Sequence, residues 1–123
     1  MPRPLRNPHG LIDRFAMALS ALCVLHCVAT LALMASFAAL GELFANPLIH
    51  EGGLILAIVL AALALGSGFR VHRRPLPLIA GLVGLMLMTG GLFVAHGVQE
   101  MALTVIGVLI VGAAHWHNIH AVR

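Results

Sequence analysis

The chain has 123 residues, of which 61% are hydrophobic and 9% charged, with a mean hydropathy of +1.05. Soluble domains carry about 25% charged residues, so this composition excludes a domain with a water-facing surface and makes the chain an integral membrane protein of single-domain size. All seven basic residues are arginines placed beside apolar runs, with no patch interleaved with aromatics, which excludes a nucleic-acid partner despite a pI near 10.2.

The N-terminal stretch "MPRPLRNPHG" has three prolines and no apolar core, so it does not read as a removable signal. Residues 1–12 are expected to be a cytoplasmic tail, 13–120 a single transmembrane domain, and 121–123 a second tail. Four apolar runs come next, at about 14–40, 52–69, 75–96 and 101–118, each near the roughly 20 residues that cross a bilayer. They are continuous and do not alternate, which rules out a membrane β-barrel. Lipid obliges the backbone to satisfy its own hydrogen bonds, which leaves helices. The expected fold is therefore all-α, a bundle of four transmembrane helices. "GELFANPLIHE", "RVHRRP" and "GVQE" are the expected connectors.

Arg3, Arg6 and Arg14 precede the first run, Arg70, Arg73 and Arg74 separate the second from the third, and Arg123 follows the fourth. The other two connectors hold Glu42, Glu51 and Glu100 and no arginine. This asymmetry places both termini and the middle connector in the cytoplasm. Small residues four apart recur at Ala32 and Ser36, Ala62 and Gly66, and Ala80 and Gly84, a spacing that lets helices approach closely and is compatible with a homodimer.

The first run carries "ALCVLHCVATL", with both cysteines of the chain, Cys23 and Cys27, and His26 between them. On one helix the cysteines are too far apart for a disulfide. At about 100° per residue the three side chains share one face, and they are expected to converge on one ion about midway through the membrane. A thiol there can be a plain buried hydrophobe. An imidazole mid-span is costly and marks a functional interior. The chain has eight histidines. His50 and His96 are expected at the outer rim near Glu51 and Glu100. His115, His117 and His120, in "HWHNIH", are expected at the inner rim, where Trp116 reads as an interfacial anchor. His9 and His72 read as part of the solvated flanks, and Asp13 reads as a helix cap or as a receiver of a departing ion. Together these residues form a ladder of ligands at successive depths, as a metal path needs.

"DRFAMALSALCVLHC", "HE" opening the second run, "RVHRR" after it and "HWHNIH" at the end, in a chain of four short spans, resemble the MerC-type family of mercury-resistance membrane proteins. The likeness covers nearly the whole chain. It implies a bacterial inner-membrane protein of four helices that takes up mercuric ion through the cysteine pair of its first span, which corresponds here to Cys23 and Cys27. The mercury-transporting members have cysteines three apart and further cysteines at the cytoplasmic end. Here the pair is four apart around His26, and histidines stand at the end. Mixed nitrogen and sulfur ligands also suit zinc and similar borderline ions.

The expected function is thus a carrier for a soft or borderline divalent ion, Hg2+ by resemblance and Zn2+ or similar by ligand type. No organic cofactor is expected. No nucleophile–base pair, paired carboxylates or phosphate loop points to an enzyme. Two other classes fit parts of the pattern: a membrane metal sensor or partner subunit that binds without transport, and a haem-binding electron-transfer protein with axial histidines.

Overall fold

The computed structural model describes residues 8–95 and 97–121. Among them are helices α1 (Pro8–Ser36), α2 (Ala38–Phe44), α3 (Pro47–His72), α4 (Leu76–Gly91) and α5 (Val98–Ala121), and no strand. The stretches Gly10–Ser36, Ala39–His72 and Val98–Ala121 are each long and apolar enough to cross a membrane, whereas α4 is a shorter apolar helix of 16 residues. Together α1, α3, α4 and α5 form the expected four-helix bundle, with α3 and α5 touching each other and α1 and α4 at opposite corners.

Burial runs opposite to that of a soluble protein. Large apolar side chains such as Phe15, Leu22, Leu25, Ile55, Met86 and Leu109 face outward, while Asp13, Thr30, Glu100, Thr104, His115 and Asn118 are buried. That is the arrangement expected where the surroundings are hydrocarbon and polar groups must find partners inside. The interior contacts are built on small residues. A Cβ on Gly84 would lie 2.6 Å from the Gly107 carbonyl oxygen, and one on Gly107 would lie 2.6 Å from that of Gly84, so α4 and α5 meet backbone to backbone. On α3 the buried stripe is Ala57, Ala61, Ala64 and Gly68. Of the small-residue pairs legible in the sequence, only Ala80–Gly84 supplies a buried glycine to such a contact; Ala32, Ser36 and Ala62 face outward.

Two boundaries differ from expectation. Helix α1 starts at Pro8, inside the segment read as a tail, so Asp13 lies more than a turn into the helix and cannot cap it. The segment after α1 is not an open connector. The chain breaks at Phe37 (φ −145°, ψ 88°) and forms α2, which folds back along α1. A Cβ on Gly41 would come within 2.7 Å of the Met34 backbone, an approach that only glycine allows. By Phe44 the returning chain has come back to the level of His26.

Helix α3 therefore starts well below the top of α1. Its entry is set by the Asn46 side chain, which accepts the Leu48 N–H at 3.0 Å, and by Pro47 in the first turn. It ends at Arg73, which adopts the left-handed conformation (φ 54°) and returns its N–H to Phe69. Arg70 in the last turn complements the helix dipole.

Candidate metal centre

Because α2 brings the chain back down, His50 in the first turn of α3 sits beside the cysteine-bearing stretch of α1. His26, Cys27 and His50 each present a ligand atom, and these atoms lie within 4.8 Å of one another. Around a tetrahedral ion a sulfur and a nitrogen stand about 3.6 Å apart, so the cluster must contract by up to about 1 Å to close. Cys27 Sγ is 4.0 Å from His50 Nε2, and the two histidine rings meet edge to face with centroids 5.5 Å apart.

Each imidazole is held from behind. His26 Nε2 donates to the Phe44 carbonyl at 3.0 Å, which leaves its Nδ1 as the lone-pair nitrogen of the neutral ring. His50 Nδ1 faces the Glu100 carboxylate at 3.9 Å, which favours the proton on that side and directs the Nε2 lone pair toward Cys27. A backbone carbonyl and a carboxylate behind ligating histidines fix ring and tautomer for metal binding. Cys27 is 2% exposed, and Glu100, in the first turn of α5, is also buried.

Cys23 stands outside this group. It lies one turn further in, where a Cβ on Gly53 would approach its sulfur at 3.9 Å, and it lines an interior cavity together with Ser20, Met88 and His115. The face shared by Cys23, His26 and Cys27 on α1 is thus divided between two surroundings. His26 and Cys27 pair with α3, and Cys23 faces the centre of the bundle.

The opposite end of the bundle carries a second polar layer. At 1.5 Å per residue, Ala64 lies about 21 Å along α3 from His50, and Asp13 about 21 Å along α1 from Cys27. Asp13 Oδ1 is 2.6 Å from His115 Nδ1, and both side chains are almost wholly buried. Asn118 Nδ2 donates to Asp13 Oδ2 at 2.9 Å and to the Ala64 carbonyl at 3.1 Å. His72 Nε2 lies 2.8 Å from Asn118 Oδ1, and His72 Nδ1 accepts the Arg74 backbone N–H at 3.0 Å.

The direction of this hydrogen-bonded run is set at its outer end. A backbone N–H can only donate, so His72 Nδ1 is an acceptor and its Nε2–H donates to Asn118 Oδ1. The Asn118 amide then donates to Asp13. In the Asp13–His115 bond the carboxylate oxygen accepts and Nδ1–H donates, which leaves the Nε2 of the neutral ring with its lone pair. That nitrogen is buried with no hydrogen-bond partner among the described residues.

The other histidines are not gathered into either layer. His117 and His120 are exposed, and His120 Nδ1 donates to the Trp116 carbonyl at 2.8 Å with its ring against the indole (centroids 4.4 Å apart). His115 is the one histidine of "HWHNIH" that points inward, alongside Asn118. His72 belongs to the inner network and not to a solvated flank. His96 lies outside the described residues. Sequence reasoning did not single out Asn118 or the pairing of Asp13 with His115. The signal that could have found them is the spacing of His115 and Asn118, three apart and hence on one face of an otherwise apolar helix.

A helical bundle with an apolar exterior and with its polar groups collected between the helices defines a membrane protein. The family profile described as "MerC mercury resistance protein" matches residues 13–120, and the chain belongs to that family. No match is found among curated proteins or among solved structures.

Proposed function

We propose that the chain is a carrier for a soft or borderline divalent cation, mercuric ion first and zinc or a similar ion second. It works in the bacterial inner membrane with both termini cytoplasmic. The observation that carries this reading is the convergence of His26, Cys27 and His50 from two helices, with Glu100 behind His50. An ion reaching this cluster exchanges its solvent ligands for imidazole nitrogen and thiolate sulfur, and the Cys27 proton is released as the bond to sulfur forms. Family membership supports mercury as the cargo. The mixed nitrogen and sulfur set explains why softer ions should outcompete harder ones.

The direct test is flux. Purified protein in sealed vesicles should take up mercuric ion faster than protein-free vesicles, and Cys27→Ala should remove the difference. Stoichiometric binding with no flux would mark the chain as a sensor or partner subunit and end the carrier reading. The arginine asymmetry makes a second expectation. A reporter fused after Arg74 should read as cytoplasmic and one after Val98 as external, and the reverse pattern would invert the direction of travel.

A further inference from the structure

The outer side of the α1–α5 contact carries an apolar groove of about 330 Å³ that contains none of the ligands or polar pairs described above. Its floor is set by small residues. A Cβ on Gly112 of α5 would lie 3.3 Å from the Ser20 Cβ of α1, so the two helices touch there. Ala21 and Ala113 are too short to close the groove over that contact, and both are exposed. The groove runs from Met17 to Val24 on α1 and from Val108 to Trp116 on α5, about 10–12 Å along the axes at 1.5 Å per residue. One leaflet of the hydrocarbon core is about 15 Å thick. The groove therefore fits within a single leaflet.

The end at Met17 and Trp116 is the polar one. Arg14 precedes Met17 by three residues and Ala21 by seven, so it continues the same stripe of α1. It is exposed, and it has no hydrogen bond or ion pair among the described residues. The neighbouring Asp13 is turned inward and bonded to His115 and Asn118. On α5 the exposed Trp116 indole, with the His120 ring stacked on it, stands at this same end. A tryptophan there marks the border between hydrocarbon and headgroups. A cation at that border with no protein anion beside it calls for a counter-charge from outside the chain. The arginine asymmetry makes this the cytoplasmic side, where the leaflet carries anionic lipid.

We propose that the α1–α5 groove binds an anionic phospholipid of the cytoplasmic leaflet, with one acyl chain along the groove and the phosphate paired with Arg14. The guanidinium fork matches a phosphate through two parallel N–H donors. A zwitterionic headgroup brings its own ammonium to the same phosphate, so a net negative headgroup is preferred. The inference goes beyond the cargo and shares with the proposed function only the orientation. The lipid ties the first spanning helix to the last at the end opposite the His26–Cys27–His50 cluster.

The chain has one tryptophan, so the fluorescence of Trp116 reports on the groove directly. The test uses full-length protein in phosphatidylcholine vesicles, with brominated phosphatidylglycerol or brominated phosphatidylcholine replacing part of the lipid in both leaflets. Quenching requires contact with a brominated chain. Phosphatidylglycerol should quench with an apparent affinity about 5-fold above phosphatidylcholine, the factor that one arginine contributes beside an anionic surface. Added salt should shrink this preference, and Arg14→Gln, at an exposed position, should remove it. Ala113→Leu fills the groove from its open side and should reduce quenching by both lipids with helix content unchanged. Equal affinity of the two lipids in the wild type would make the groove an ordinary lipid contact and overturn the proposal. So would a preference that survives in Arg14→Gln, which places the anionic headgroup at another arginine. Quenching by neither lipid would mean that a second copy of the chain or another protein covers the groove, and ends the lipid reading. No readout involves a metal ion, and both leaflets have the same composition, so the result stands apart from cargo and orientation alike.

Discussion

Cys27→Ala is expected to weaken binding of one equivalent of Cd2+ by more than about 100-fold, beyond the 10–100-fold typical of outer-shell partners. Cys27 supplies the only sulfur of the His26–Cys27–His50 cluster, and a soft ion held by two imidazoles alone loses its strongest bond. His50→Ala should come close to the same loss. Glu100→Gln should fall in the 10–100-fold range, because it removes the charge that orients His50 and leaves all three ligands in place. Folding should not confound the comparison. A buried free cysteine packs as a small hydrophobe, and its replacement by alanine costs on the order of 1 kcal/mol. The measurement is competition with a chromophoric chelator across the three variants. Equal weakening by all three, accompanied by loss of helix content, would mean that the cluster is only a packing contact.

Asn118→Ala is expected to destabilise the bundle by about 2–4 kcal/mol, the cost of leaving buried polar groups unsatisfied. Asn118 joins three helices: it donates to Asp13 on α1 and to the Ala64 carbonyl on α3, and it accepts from His72 at the end of α3. Its seat is moulded around it, since a Cβ on Gly68 would overlap the amide. Single hydrogen bonds between membrane helices average only about 0.6 kcal/mol, because partners are also found before the helices associate. A measured loss near that smaller value, by reversible unfolding in detergent mixtures, would mean that Asp13 finds other donors and that the network does not hold the inner end together. A loss of the larger size would show that the inner layer supplies much of the bundle's cohesion.

The helices are legible in the sequence because hydropathy reports directly on which segments tolerate hydrocarbon. The family resemblance is legible because it rests on residues in a fixed order. Cys27 and His26 are recognisable as candidate ligands, since an imidazole in an apolar run is costly and marks a functional interior. A face about 100° wide suggests that Cys23 and Cys27 share one ion, but which neighbour covers each edge of that face depends on other helices. The return of α2 is not visible either. The break at Phe37 has no proline or glycine to announce it, and Gly41 reads as an ordinary turn residue until Met34 is found against it. Asp13 and His115 are 102 positions apart, far beyond what periodicity can relate.

Helix α2 gives the segment between α1 and α3 an unusual intolerance to length change. Insertions in surface connections are generally absorbed with little consequence. Here the count of residues between Phe37 and Pro47 determines how far α3 starts below the end of α1, and hence where His50 stands relative to Cys27. One residue more or fewer in α2 rotates the start of α3 by about 100° and shifts it by about 1.5 Å along the axis. That is enough to open or close a site whose ligand atoms now lie within 4.8 Å. The length of this short hairpin therefore decides whether the side chains of His26, Cys27 and His50 can meet at all.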